Sequence, residues 1–230
     1  MKTIGLLGGM SWESSIEYYR IINQAVQERL GGLHSARSLM YSVDFAPVAE
    51  LQAAGRWAEA GELLAGAARQ LERGGADFIV LCTNTMHRVA AEIQAALTIP
   101  LLHIADPTAR AIKAAGLRTV GLLGTRFTME QEFYTGRLIE NYGLDVRIPD
   151  QADREIIHRV IYEELCLGRI EPASKQHYLE IMQRLIAAGA EGIILGCTEI
   201  DLLIKPGDSA VPLFDTTALH AIAAVEHALK

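Results

Sequence analysis

The chain has 230 residues, half of them hydrophobic and 21% charged, with a formal net charge of −7. That length supports one large domain or two small ones, each able to bury a core, and the apolar content excludes a disordered chain. The acidic balance excludes nucleic acid as the main partner, because phosphate binding needs a basic face, and leaves small anionic ligands open.

Apolar runs alternate with longer amphipathic stretches, the pattern of parallel strands covered by helices. In chain order they predict a strand at Thr3 to Leu7, a helix at Trp12 to Leu30, a strand at Leu39 to Phe45 and a helix at Arg56 to Arg73. A strand at Phe78 to Cys82, a helix at Met86 to Ala96, a strand at Leu101 to His103 and a helix at Pro107 to Ala115 follow. The second half offers a strand at Thr119 to Leu123, a helix at Met129 to Tyr142, a strand at Asp145 to Ile148 and helices at Ala152 to Leu167 and Pro172 to Ala188. It closes with strands at Gly192 to Gly196 and Val211 to Phe214 and a helix at Thr217 to Leu229.

The N-terminal apolar run is interrupted by glycines and followed by Trp12, Glu13, Tyr18 and Tyr19, which is not the form of a signal peptide or a membrane span. Three cysteines, Cys82, Cys166 and Cys197, are too few and too unevenly spaced for a disulfide framework or a closed zinc site. A cytoplasmic protein with reduced thiols is expected.

The two halves repeat. Gly75 to Asn84 reads against Gly189 to Thr198 at a spacing of 114 residues, which sets Thr83 opposite Cys197. Lys2 to Gly8 pairs with Arg118 to Gly124 at 116 residues, and Pro100-Leu101 pairs with Pro212-Leu213 at 112. An α/β fold is expected, with two similar lobes of mainly parallel sheets related by a pseudo-twofold axis and the active site in the cleft between them. The expected lobes are residues 1–104 plus 216–230, and residues 105–215. In open parallel sheets ligands sit beyond the carboxyl ends of the strands. Four motifs fall there: Gly8-Gly9-Met10-Ser11, Thr83-Asn84-Thr85, Gly124-Thr125 through Thr128, and Gly196-Cys197-Thr198-Glu199.

Cys197 lies at a strand end just before a predicted helix, where unpaired N–H groups and the helix dipole favour a thiolate. A small buried hydrophobe is the alternative. Thr83 is a poor base unless another group takes its proton, and it competes with Asn84 and Thr85 for a helix-capping role. One cap accounts for one of the three; the Thr-Asn-Thr run is also suited to holding a carboxylate. Cys82 is read as core, since neighbouring strand residues point to opposite faces. Cys166 reads as helix packing, and Thr125 and Thr128 as hydrogen-bond donors or caps. Gly8-Gly9-Met10 lacks the full dinucleotide spacing, so its glycines serve close approach to a small ligand. The seven histidines show no metal spacing; His87, one turn beyond Thr83, is placed to orient groups near it.

These motifs resemble the aspartate/glutamate racemase family of cofactor-independent enzymes: Gly5 to Trp12, Cys82-Thr83-Asn84-Thr85-Met86-His87, Leu122 to Thr125 and Leu195 to Glu199 match in order. The resemblance implies no pyridoxal phosphate, a small-molecule amino acid as substrate and a homodimer, while the residues themselves point to no metal, no membrane and no nucleic-acid partner. It implies two groups flanking the substrate Cα, one removing the α-proton and the other returning it to the opposite face. They map to Cys197 and Thr83, the latter replacing the usual cysteine, as in the branch specific for L-aspartate and L-glutamate. Met10, Gln52, Asn84, Thr85, Thr125 and Thr198 are then the expected substrate-binding residues. Members selective for acidic substrates imply a basic residue near positions 50 to 52 and a lysine near Leu165-Cys166; this sequence has Gln52 and no lysine there. A racemase of neutral polar amino acids such as homoserine, a one-thiol decarboxylase or isomerase of small carboxylic acids, and a non-catalytic sensor are the alternatives.

Overall fold

The computed structural model describes residues 1–230. It divides into two compact units, residues 1–104 with 220–230, and residues 105–219. The first holds strands β1 (Ile4–Gly8), β2 (Ser38–Ser42), β3 (Phe78–Leu81) and β4 (Leu101–Leu102) in the order β2-β1-β3-β4, all parallel. The second holds β5 (Thr119–Gly124), β6 (Asp145–Arg147), β7 (Gly192–Gly196) and β8 (Leu213–Asp215) in the equivalent order β6-β5-β7-β8, again parallel.

The sequence repeat is a repeat of register. Gly5 lies opposite Ile79 as Gly121 lies opposite Ile193, and Ile79 opposite Leu101 as Ile193 lies opposite Leu213. In each pair the isoleucine covers the glycine, and a Cβ on Gly5 or Gly121 would come within 2.8 or 2.7 Å of its Cδ1. An acid fixes each strand entrance. Asp77 accepts from the Thr3 N–H at 2.6 Å, and Glu191 accepts from the Arg118 and Thr119 N–H groups at 2.9 Å. These hydrogen bonds hold the Glu191 carboxyl below its ordinary range.

Helices α1 (Trp12–Leu30), α2 (Phe45–Ala53), α3 (Trp57–Arg73) and α4 (Ala90–Ala95) cover the first sheet. Alternation along β1 and β3 sorts the core: Ile4, Leu6, Phe78, Val80 and Cys82 pack with Tyr18, Ile22 and Ala224, whereas Leu7, Ile79 and Leu81 pack with Leu64, Ala68 and Met86. The second unit carries α5 (Ala105–Ala114), α6 (Arg126–Glu130), α7 (Glu132–Tyr142), α8 (Gln151–Glu163), α9 (Pro172–Ala187) and α10 (Ile200–Leu203). The last helix, α11 (Thr216–Ala228), begins in the second unit and ends in the first. Bidentate pairs tie α7 to α5 through Arg137 and Asp106, and α9 to α8 through Arg184 and Asp153. No helix is long and apolar enough to cross a membrane.

Several expectations change, among them the helix expected at Ala152 to Leu167, which ends at Glu163 and is followed by a 3₁₀ turn at Leu165–Leu167. The strand expected at Leu39 to Phe45 ends at Ser42, because Asp44 caps α2 by accepting from the Ala46 N–H and Pro47 fits its first turn. The helix expected at Met86 to Ala96 starts as a 3₁₀ turn, Thr85–Val89, before α4. The helix expected at Met129 to Tyr142 is two: α6 ends at Glu130, and α7 starts after an extended Gln131. Gly121→Ala forces its Cβ against Ile193 Cδ1 and Leu185 Cδ1. It is expected to lower unfolding free energy by about 1–3 kcal/mol in urea titration, with little change in m-value.

Candidate active site

Within the first unit the carboxyl ends of β1 and β3 lie side by side, with the Cys82 N–H donating to Leu7 O at 2.9 Å. The loop after β1 turns at Gly9, whose φ of 94° and 2.3 Å from an added Cβ to Val43 O exclude a side chain. Its N–H donates to Ser15 Oγ, and that hydroxyl donates to Ser11 O. Met10, the next residue, is buried in one cluster with Val48, Leu81 and Met86. Gln52, brought there by α2, is buried and donates from Nε2 to Met86 Sδ at 2.8 Å.

Thr83, Asn84 and Thr85 are all buried. The helix N-terminus expected to present N–H groups here is a five-residue 3₁₀ turn, and the Asn84 side chain makes no capping bond to it. His87 braces the turn instead. Its Nε2 accepts from the Ile104 N–H at 3.2 Å, so Nδ1 carries the proton and donates to Thr83 O at 2.7 Å. His220 has the opposite tautomer: Nδ1 accepts from the Tyr18 hydroxyl and Nε2–H donates to Leu102 O, both at 2.9 Å. The His87 ring lies 4.5 Å from His103 and 5.9 Å from His220, centroid to centroid. Cys82 is fully buried, and burial pushes its thiol far above the usual range, in keeping with the core role read from strand alternation.

Within the second unit β5 and β7 end together, Gly124 opposite Gly196. A Cβ on Gly124 would sit 2.7 Å from Gly196 O, so both strand ends need glycine to come this close. Thr125 then caps α6, accepting from the Thr128 N–H at 3.3 Å. Cys197 is buried, with 8% of its surface exposed. Its Sγ donates to Glu199 Oε2 at 2.8 Å, and the Thr198 hydroxyl donates to the same oxygen at 3.0 Å.

This geometry corrects the expectation of a thiolate favoured by a helix end. The helix after Cys197 is the four-residue α10, too short for an appreciable dipole. Burial, then the neighbouring Glu199 carboxylate, raises the Cys197 thiol well above its ordinary range. Glu199 is the residue to which sequence reasoning gave no role, although it stood in the Gly-Cys-Thr-Glu motif. The available signal was an acid two residues beyond a thiol that directly follows a wholly apolar strand.

The model of the Asp/Glu/hydantoin racemase family matches residues 7–224. A crystal structure from Yersinia pestis, described as a candidate Asp/Glu racemase, is 57% identical with a TM-score of 0.92, covering 100% of both chains. That of an aspartate racemase homologue from Pyrococcus horikoshii is 35% identical with a TM-score of 0.85, also over 100% of both. The broad specificity amino-acid racemase RacX of Bacillus subtilis is 30% identical over 152 residues, 65% of this chain and 63% of RacX. The chain belongs to the Asp/Glu/hydantoin racemase family. The matched stretch is thus just under two thirds of the length of RacX.

The three thiols differ in environment, Cys166 being partly exposed and the other two buried. With iodoacetamide at pH 8 the native protein is expected to alkylate first at Cys166, slowly at Cys197, and at Cys82 only on unfolding, as read by peptide mass mapping.

Proposed function

We propose that the protein is an amino-acid racemase acting on free aspartate and glutamate, without a cofactor, with Cys197 and Thr83 as the groups that exchange the α-proton. The observation that carries this reading is the equivalence of the two strand ends. The paired strands repeat with the same register, and Thr83 and Cys197 each follow the strand end at the same place in the repeat. Family membership and the descriptions of the Yersinia and Pyrococcus relatives support the reaction type and the acidic substrates. Asn84, Thr85 and Thr198 would hold the α-carboxylate, and Met10, Gln52 and Thr125 would line the rest. A homodimer belongs to the same reading.

A thiol and an alcohol differ by many orders of magnitude as bases, so the two sides are unequal, and the branch resembled by the sequence gives L-enantiomers the preference. Because enantiomers are equal in free energy, kcat/KM for inversion must be the same in both directions. The inequality therefore shows in kcat and in solvent exchange. A second reading, racemisation of neutral polar amino acids such as homoserine, is favoured by Gln52, which can hydrogen-bond but cannot neutralise a distal carboxylate. The broad specificity of RacX points the same way.

Deuterium wash-in at Cα, begun from each pure enantiomer of aspartate, glutamate and homoserine, tests all of this. Unequal initial wash-in from the two enantiomers of one substrate is expected, and equal rates would remove the asymmetry. Cys197→Ser is expected to lose exchange by at least about 100-fold while keeping its melting temperature within a few degrees. Unchanged exchange would remove the thiol from the mechanism. Altered product mass without wash-in or inversion would point instead to decarboxylation or another isomerisation.

A further inference from the structure

We infer that Glu199 is the proton acceptor for Cys197, so that the two side chains work as a single acid/base unit holding one shared proton. The inference rests on the racemase reading above and names a residue that reading leaves without a part. Glu199 Oε2 lies 2.8 Å from Cys197 Sγ and 3.0 Å from Thr198 Oγ1, and all three residues are buried.

The chemistry follows from the charge at this strand end. For Cys197 to take an α-proton it must first lose its own, and a thiolate beside a carboxylate would put two anions in contact in a dry site. The other groups acting on the pair do not relieve this. Cys166, on the turn Leu165–Leu167, raises the Cys197 thiol further. Tyr162 on α8 and Tyr178 on α9 are neutral phenols, held above their usual range by burial, with Cys197 and Glu199 adding to the rise. Glu164 adds negative charge toward Tyr178, and the one cation in this set, Arg126, acts on Tyr162.

The arrangement avoids paired anions if the thiol proton moves to Glu199 as the α-proton arrives. The S–H bond breaks toward Oε2 and its electron pair stays on sulfur. Sulfur then takes the α-proton, and the Cα–H pair is left on the substrate carbanion. A proton from the Thr83 side, replenished by solvent, completes inversion, and Glu199 returns its proton to solvent. In the reverse direction Glu199 first takes a proton from solvent; the Cys197 thiol then gives its proton to the substrate carbanion, and the Glu199 proton moves to the sulfur, which restores the resting thiol and carboxylate. Throughout, the unit carries one negative charge or none, never two.

Glu199→Gln separates this role from that of a carboxylate that merely suppresses the thiolate. The amide can still hydrogen-bond to sulfur but cannot take its proton. Two readouts are needed: wash-in at Cα, and the pH profile of Cys197 alkylation by iodoacetamide, resolved by peptide mass. Removing the charge is expected to speed alkylation near neutral pH by about tenfold or more. Wash-in is expected to fall by at least about 100-fold. Glu199→Asp, which keeps a carboxylate, is expected to recover part of the wash-in, and it preserves the test should Glu199→Gln not fold. Faster alkylation together with unchanged or faster wash-in would overturn the acceptor role. An alkylation profile unmoved in both variants would overturn the coupling itself. Failure of the wild-type protein to exchange any amino acid would instead overturn the racemase reading, while the alkylation profile would still report on the pair.

Discussion

The strand-end loops that carry Thr83 and Cys197 are placed by the parallel pairing of β1 with β3 and of β5 with β7. Parallel strands deliver their carboxyl ends to the same side of a sheet, so two loops far apart in sequence are forced together there. The pairing is close because a small residue lies under a large one: Gly5 beneath Ile79, and Gly121 beneath Ile193. Side chains alternate with period two, so a slip of one residue in β7 would exchange the faces of Gly196 and Cys197. The entrance acids Asp77 and Glu191 guard against such a slip, since each ties the start of one central strand to the start of its neighbour.

That frame places a thiol and a carboxylate in contact, an arrangement that burial makes consequential. In water the pair would be unremarkable, each side chain solvated and screened. Here the carboxylate finds its compensation in donors at hand, and Cys197 and Thr198 both supply one to the same oxygen. Ionising Cys197 would therefore remove a donor from Glu199 and add a second charge in one step. The resting state thus keeps the sulfur protonated, and any base role for it depends on where that proton can go.

The fold was legible because its signals are local and repeated. Strand cores such as Gly192–Gly196 and helices such as α1 stand where periodicity put them, to within the usual fraying of ends. Helix α2 was missed because Val43 and Phe45 extend the apolar run of β2, masking the cap supplied by Asp44. The shortness of the helical turns after Thr83 and Cys197 was not legible either, because Met86 to Ala96 has a continuous helical composition and only tertiary packing makes its start 3₁₀. The thiol's state depended on a side chain two positions away, and linear order does not reveal which way Glu199 turns. The His87 brace was legible as a place near Thr83 but not as a tautomer, which depends on the distant Ile104 N–H.

The repeat also explains why the residues at the two strand ends are not interchangeable. Cys82 and Gly196 are equivalent by position, yet a Cβ on Gly196 would meet Leu122 Cδ1 and Leu123 O at 2.7 Å. Unit two has no room for any side chain there, whereas unit one accommodates the Cys82 thiol among Ile4, Leu6 and Tyr18. A thiol at the end of β7 can therefore stand only at position 197, just beyond the glycine. In unit one the thiol of Cys82 is spent on core packing, and the position equivalent to Cys197 is left to Thr83. The two halves share the register of their paired strands, and their side chains differ at the strand ends, Cys82 against Gly196 and Thr83 against Cys197.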